Sequence, residues 1–205
     1  MKKAYEQSSA AVRRWLKDEY PKIQSLAKRA RAEIQWGDEM GIRSDDQIGR
    51  TYGVNGKTPV VLVTGKRFRT NMISTITNRG KLRFMVFNTR FTTSVFINFL
   101  KRLVKGAKQK IFLILDGHPV HKSKAVQKWI LENENKIKIF LLPAYSPELN
   151  PDEYLNQDIK QHTRKHRPET QGEMVTNLRS YLKSNQKKPD KIMNFFKAEK
   201  VKYAA

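Results

Sequence analysis

A chain of 205 residues is long enough for one ordinary domain with a good core plus extensions, and too short for two large domains. Its 41 Lys and Arg against 19 Asp and Glu leave a net charge of +22, more than surface solvation requires, which points to a polyanionic partner such as nucleic acid. With no cysteine, disulfides, a thiol nucleophile and a zinc–thiolate site are excluded; no apolar run approaches the ~20 residues of a membrane span, and the charged N-terminus is no signal peptide.

Residues 1–31 are helical in composition, with Val12, Trp15 and Leu16 on one face, a break at Pro21, and Ile23, Leu26 and Ala30 resuming the spacing. This predicts a helical arm leading into the domain. A short strand follows over 33–36, with Ile34 and Trp36 on one side, and it ends in Gly37, Asp38 and Glu39. Residues 43–59 lack periodicity and are rich in turn formers, as in a long functional loop or hairpin insertion. The Gly56-Lys57-Thr58 triplet in it is not a phosphate-binding loop, because Thr51 stands where the first glycine is needed and a strand follows where a helix should.

Strands are predicted over 60–64, 71–77 and 82–87, the last two joined as a hairpin through Asn78, Arg79, Gly80 and Lys81. An amphipathic helix covers 92–105, with Val95, Phe96, Phe99, Leu100 and Leu103 inward. It feeds a strand over 111–116 whose five apolar residues end in the carboxylate of Asp116. A helix over 122–134 (Val126, Trp129, Ile130) and a strand over 137–142 complete a right-handed parallel crossover. Pro143, Pro147 and Pro151 then forbid regular structure until Asn150, as N-cap, and Pro151, as first residue, open a helix with Glu153 in its first turn. That helix runs through Leu155, Ile159 and His162 to a basic patch at 164–167 closed by Pro168, and helices over 170–184 and 190–200 form a lysine-rich tail.

Asp38, Asp116 and Glu153 are candidate ligands for divalent cations. Phosphodiester cleavage has anionic oxygens as both nucleophile and leaving group, and two divalent ions ~3.5–4 Å apart stabilise both. Magnesium takes hard oxygen ligands, which carboxylates on two adjacent strands and a nearby helix supply. Each acid also has a plain structural role open to it: Asp38 as a turn cap, Asp116 as a strand-end turn former, Glu153 as the third residue of a capping box on Asn150. Glu39, Asp45, Asp46, Glu148 and Asp152 are rivals; Glu39 falls on the opposite side from Asp38 if the strand continues, and Asp152 lies about a hundred degrees around the helix from Glu153. His118 and His121 have neither thiols nor a third histidine at zinc-site spacing, which favours a solvent-facing or phosphate-contacting role. Candidate nucleic-acid contacts are Arg43, Arg50, Lys57, His121, Lys122, Lys160 and Arg164.

Three stretches carry a family resemblance: G-D-E-M-G at 37–41, L-D-G-H-P-V-H at 115–121 and L-P-A-Y-S-P-E-L-N-P-D-E-Y-L at 142–155. From residue 32 onward the chain resembles the catalytic domain of bacterial insertion-sequence transposases of the mariner-like superfamily, insertion sequence 630 type. The resemblance implies an α/β fold, a ribonuclease H-like mixed sheet flanked by helices, with Asp38, Asp116 and Glu153 as the metal-binding acid triad. The 36 residues between the last two acids suit the family, and His121 matches its histidine five residues after the second acid. Gly117 and His118 stand where the family often has asparagine and alanine, so no role of that asparagine carries over.

What the resemblance implies is cut-and-paste transposition with Mg2+ or Mn2+, two ions at one site. Water attacks the phosphodiester at each transposon end, and the freed 3′-hydroxyl attacks target DNA, commonly at TA. The expected organisation is a helical linker over 1–31, the catalytic domain over 32–167 and a basic helical extension over 168–205. Residues 1–31 are too few for a helix-turn-helix unit, so end recognition is expected to be absent or supplied by a separate N-terminal transposase half. Transposon ends, target DNA and a second copy of the chain are the implied partners, in the bacterial cytoplasm and on the nucleoid. Two other readings stay open: a catalytically silent DNA-binding remnant, and a structure-selective nuclease of the same fold.

Overall fold

The computed structural model describes residues 5–45, 52–57, 60 and 65–205. Two helical segments, α1 (Ser9–Arg14) and α2 (Tyr20–Arg29), are joined without interruption by a π-helical turn, Trp15–Glu19. The sequence predicts a break at Pro21; the structure instead widens the helix. Proline has no N–H and its ring presses on the carbonyl four residues back, and the wider turn, closed by the Tyr20 N–H on the Trp15 carbonyl, accommodates it. Trp15 and Tyr20 are buried by this turn, whereas Leu16 and Leu26 face solvent.

The sheet contains β1 (Glu33–Arg43), β2 (Arg69–Ile76), β3 (Leu82–Phe87), β4 (Ile111–Leu115) and β5 (Ile137–Leu141), in the order β3-β2-β1-β4-β5. β1, β4 and β5 are parallel, and β2 and β3 are added antiparallel. Of the strand predicted over 60–64, residues 61–64 lie outside the described residues and Val60 belongs to no strand. The hairpin between β2 and β3 forms as the sequence indicates. Gly80 takes φ 81 there, and a Cβ on it would meet Pro189 at 2.5 Å.

β1 corrects the sequence reading. It does not stop at Gly37–Glu39 but continues to Arg43, because β2 supplies a partner along its whole second half, Asp38 opposite Ser74 and Arg43 opposite Arg69. The turn-like composition of this stretch is overridden by pairing. β1 and β4 register from Glu33 opposite Ile111 to Trp36 opposite Ile114.

The remaining helices are α3 (Thr93–Lys105), α4 (Lys124–Glu132), α5 (Asp152–His166), α6 (Gln171–Gln186) and α7 (Pro189–Phe195). They divide between the two faces of the sheet. Ile34, Trp36, Met40 and Ile42 of β1 point with Phe112 and Ile114 of β4 into a core shared with α2, α5, α6 and α7. Leu113 and Leu115 point the other way, onto Phe96, Phe99, Leu100 and Leu103 of α3 and Val126 of α4. This alternation is the period of two that a doubly covered sheet requires.

The chain's two ends meet under β1. The Tyr203 ring lies edge-on to Tyr20 (4.9 Å) and to Trp36 (5.7 Å). Trp15 Nε1 donates to the Tyr203 hydroxyl at 3.0 Å, which in turn donates to the Leu149 carbonyl at 2.8 Å, just before α5. The N-terminal helix is therefore packed into the domain rather than held out as an arm, and truncating either buried indole to alanine would cost on the order of 3–5 kcal/mol.

Candidate active site

Strand register brings two acids side by side. Asp38 is two residues beyond Trp36 on β1, and Asp116 is two residues beyond Ile114 on β4, where the two parallel strands separate. Asp38 shares its face of β1 with Trp36 and Met40, so its carboxylate turns toward α5. Gly37 permits the close approach: a Cβ there would meet Leu115 Cδ2 at 2.9 Å and the Ser74 carbonyl at 3.0 Å.

α5 delivers the third acid. Asn150 caps it, its Oδ1 accepting from the Asp152 N–H at 3.1 Å, while its Nδ2 donates to the Gly37 carbonyl at 2.9 Å. Pro151 already has helical dihedrals, in keeping with the start predicted from the sequence. Glu153 does not close a capping box on Asn150; its carboxyl group lies beside Asp38 and Asn156 instead. Asn156 Nδ2 donates to Asp38 Oδ2 at 2.7 Å.

The electrostatics follow from crowding. Burial, reinforced by the charges of Glu153, Asp152, Glu39 and Asp116, holds the Asp38 carboxyl well above the usual carboxylate range. Burial also raises Glu153, against the pull of Lys160 two turns along the same face of α5. Asp116 behaves differently. It is half-exposed, and although burial pushes its carboxyl up, hydrogen bonds from the His121 ring and the His118 N–H hold it below the ordinary value. A cluster of carboxyls that cannot all ionise together, made of hard oxygens from β1, the end of β4 and the start of α5, fits a divalent cation.

Asp116 also belongs to a second group. One ligand atom each from Glu39, Asp116 and His121 lie within 4.8 Å of one another. Glu39 is on the opposite side of β1 from Asp38, as expected for a continuing strand, and burial pushes its carboxyl up to about 7. His121 Nδ1 lies 3.1 Å from Asp116 Oδ1, and its Nε2 lies 3.6 Å from Glu39 Oε2. The expectation that His121 faces solvent or a phosphate is corrected here. Its ring is fully buried against Phe96, 4.6 Å between ring centroids, because the 3-10 turn Pro119–Lys122 folds it back under Asp116.

Among the other expected contacts, Lys122, Lys57 and Arg43 are exposed, Lys160 and Arg164 are half-buried on the Glu153 face of α5, and Arg50 lies outside the described residues. Arg43 is held by Asp45 at 2.7 Å. A Cβ on Gly117 would meet Lys122 Nζ at 3.2 Å, which puts that ammonium beside the turn after Asp116.

Sequence reasoning did not find the residues that hold the acids. Asp152 is buried, with its Oδ2 accepting from Ser74 Oγ at 2.6 Å and its carboxylate beside the Asp38 backbone. Asn156 was detectable, since it lies three residues after Glu153 and so on the same helical face. Ser74 was not, because its partner is 78 residues away.

The profile of the DDE superfamily endonucleases matches residues 33–175. The chain belongs to the DDE superfamily endonuclease family. This DDE-family chain is 26% identical over 155 residues to the insertion element IS630 39 kDa protein of Shigella sonnei, a match covering 74% of the chain and 45% of that protein. Its fold is that of the Mos1 transposase catalytic domain. The TM-score is 0.68 against Mos1 in its strand transfer complex (17% identity, 100% of this chain and 65% of that one) and 0.61 against the isolated Mos1 mariner catalytic domain (16% identity, 97% and 95%). The chain thus spans less than half of its insertion-element relative and about two thirds of Mos1 as seen in that complex. The ribonuclease H-like mixed sheet expected from the motifs is the sheet observed. Among the described residues, no helix is long and apolar enough to cross a membrane.

Proposed function

We propose that the chain is the catalytic part of a cut-and-paste transposase, with Asp38, Asp116 and Glu153 as the ligands of two divalent cations, Mg2+ or Mn2+. The observation that carries this is the meeting of Asp38 and Glu153 from β1 and α5, with Asp116 at the matching end of β4. Mos1 complexes with Mg and with Mn support the choice of ions. Bound there, the ions would supply positive charge beside the attacking and leaving oxygens of a phosphodiester.

The protein's own residues do the rest. Asn156 orients Asp38, Asn150 ties the first turn of α5 to β1, and His121 holds the Asp116 carboxylate in one rotamer. Lys160 and Arg164, on the stripe of α5 that begins at Glu153, and Lys122 beside Gly117 would contact phosphates flanking the scissile bond. In the first step a water oxygen attacks phosphorus and the P–O3′ bond breaks, freeing a 3′-hydroxyl. In the second that hydroxyl attacks a target phosphodiester and displaces another 3′-oxygen. Transposon ends and target DNA are the substrates, and two copies of the chain pair the ends. The site of action is DNA in the bacterial cytoplasm.

Nicking of supercoiled DNA with Mg2+ or Mn2+ tests this, beside Asp116→Asn and Glu153→Gln. The reading requires nicking by the unmodified chain and its loss in both variants. Salt-sensitive binding without cutting would mark a DNA-binding remnant, and cutting indifferent to transposon ends would mark a structure-selective nuclease.

A further inference from the structure

β3 is the edge of the sheet among the described residues, and a groove of about 470 Å³ runs along it between α3 and α6. Its floor is Arg83 to Val86. One wall carries Phe99 and Arg102 of α3, the other Arg179 and Lys183 of α6. Four cations converge from three elements, and among the described residues no carboxylate lines the groove. All four are solvent-exposed, and none forms an ion pair among the described residues. One charged side chain is enough to keep an edge strand from pairing with another chain. Four like charges around one groove repel, weakly because solvent screens them, and a polyanion lying along the groove turns that repulsion into attraction.

The groove is separate from the acids. Asp38, Ser74 and Phe84 stand in one row across β1, β2 and β3. The groove floor is therefore two strand spacings from Asp38, roughly 10 Å along the sheet. α6 stands between it and the Lys160–Arg164 stripe of α5. Arg179 and Lys183, one helical turn apart, are about 6 Å apart along the α6 axis, which suits successive phosphates of a strand rather than one small anion.

We propose that this groove seats the phosphate backbone of a second stretch of DNA, apart from the stretch held at the acids. The inference rests on the reading that the chain acts on DNA, but it is tested by binding and not by cutting. In metal-free buffer, the affinity of the full chain for a labelled duplex is measured against salt concentration for the unmodified chain, for Arg102→Gln with Arg179→Gln, and for Arg102→Lys with Arg179→Lys. Thermal midpoints of all three check folding. Each phosphate contact contributes about 0.9 to the slope of log affinity on log salt. The glutamine pair should flatten that slope by about 2 and weaken binding at least tenfold near physiological salt, and the lysine pair should restore most of both.

An unchanged slope and affinity in the glutamine pair would overturn the proposal. So would loss of binding to an oligoglutamate while DNA binding persists, which would assign the groove to an acidic protein segment. A chain that never nicks but shows the expected slope change leaves the groove standing and the catalytic reading refuted; nicking with an unchanged slope does the reverse.

Discussion

The side-chain amide of Asn150 reaches 2.9 Å to the main-chain carbonyl of Gly37, so the cap of α5 is tied to the β1 residue immediately before Asp38. The two acids on these elements are 115 residues apart in sequence, and this bond sets their spacing with one side chain. The same asparagine caps the helix through its oxygen. Asn150→Ala should therefore lose about 1–2 kcal/mol of stability and weaken metal binding as well. Asn150→Ser, which can cap but cannot span to Gly37, should recover the stability and not the metal affinity. Chemical denaturation and metal titration of the two variants separate these effects.

Gly37 is the other half of that junction. A methyl group placed there meets side-chain and main-chain atoms on both neighbouring strands at 2.9–3.0 Å. Gly37→Ala should cost about 1–3 kcal/mol by overpacking. It should also reduce nicking disproportionately, since any relief moves Asp38. Gly172→Ala, where a Cβ meets nothing within 4 Å, should be close to silent in both assays.

The helices, the hairpin, β4, β5 and the parallel crossover were legible in the sequence because each rests on local periodicity or turn chemistry. So were the three acids as candidates, since two apolar segments run into carboxylates and Asn150–Pro151 announces a helix start. The full length of β1 was not legible, because Gly37–Gly41 looks like a turn until the pairing with β2 is known. The environment of His121 was not either. Nothing local says that a histidine after Pro119 will fold under Asp116 onto Phe96, a contact made across 25 residues. Buried polar partners such as Ser74 and Asp152 are set by tertiary packing alone.

His121 should act by positioning Asp116. His121→Phe keeps the ring packing on Phe96 but removes the hydrogen bond, and should lower metal affinity on the order of tenfold to a hundredfold with little loss of thermal stability. His121→Asn, which can still donate to Asp116, should recover part of the affinity. If the histidine were only a packing element, the order of the two variants would be reversed.

The pH dependence follows from Glu39, whose carboxyl rises from 4.5 to about 7 on burial. A group that holds its proton more tightly in the folded chain adds stability below its unfolded pKa, and that stability disappears as pH climbs through the folded value. The metal-free protein should therefore lose stability between about pH 4.5 and pH 7, on the order of 3 kcal/mol from Glu39. Asp38 and Asp152 shift in the same direction and add to the trend. Glu39→Gln should flatten the stability profile across that window, as followed by denaturation at a series of pH values. Divalent cations must displace the shared protons, so their stabilising effect should grow with pH.

The most direct test of the central claim is a Mn2+ binding isotherm on the full chain near pH 8, with Asp38→Asn, Asp116→Asn, Glu153→Gln and Glu39→Gln beside it. If Asp38, Asp116 and Glu153 are the ligands, each of the first three variants should lose Mn2+ binding and Glu39→Gln should keep most of it. If Glu39→Gln abolishes binding while Asp38→Asn and Glu153→Gln bind as the unmodified chain does, the cation sits on the Glu39–Asp116–His121 side of β1 and the assignment of the triad is wrong.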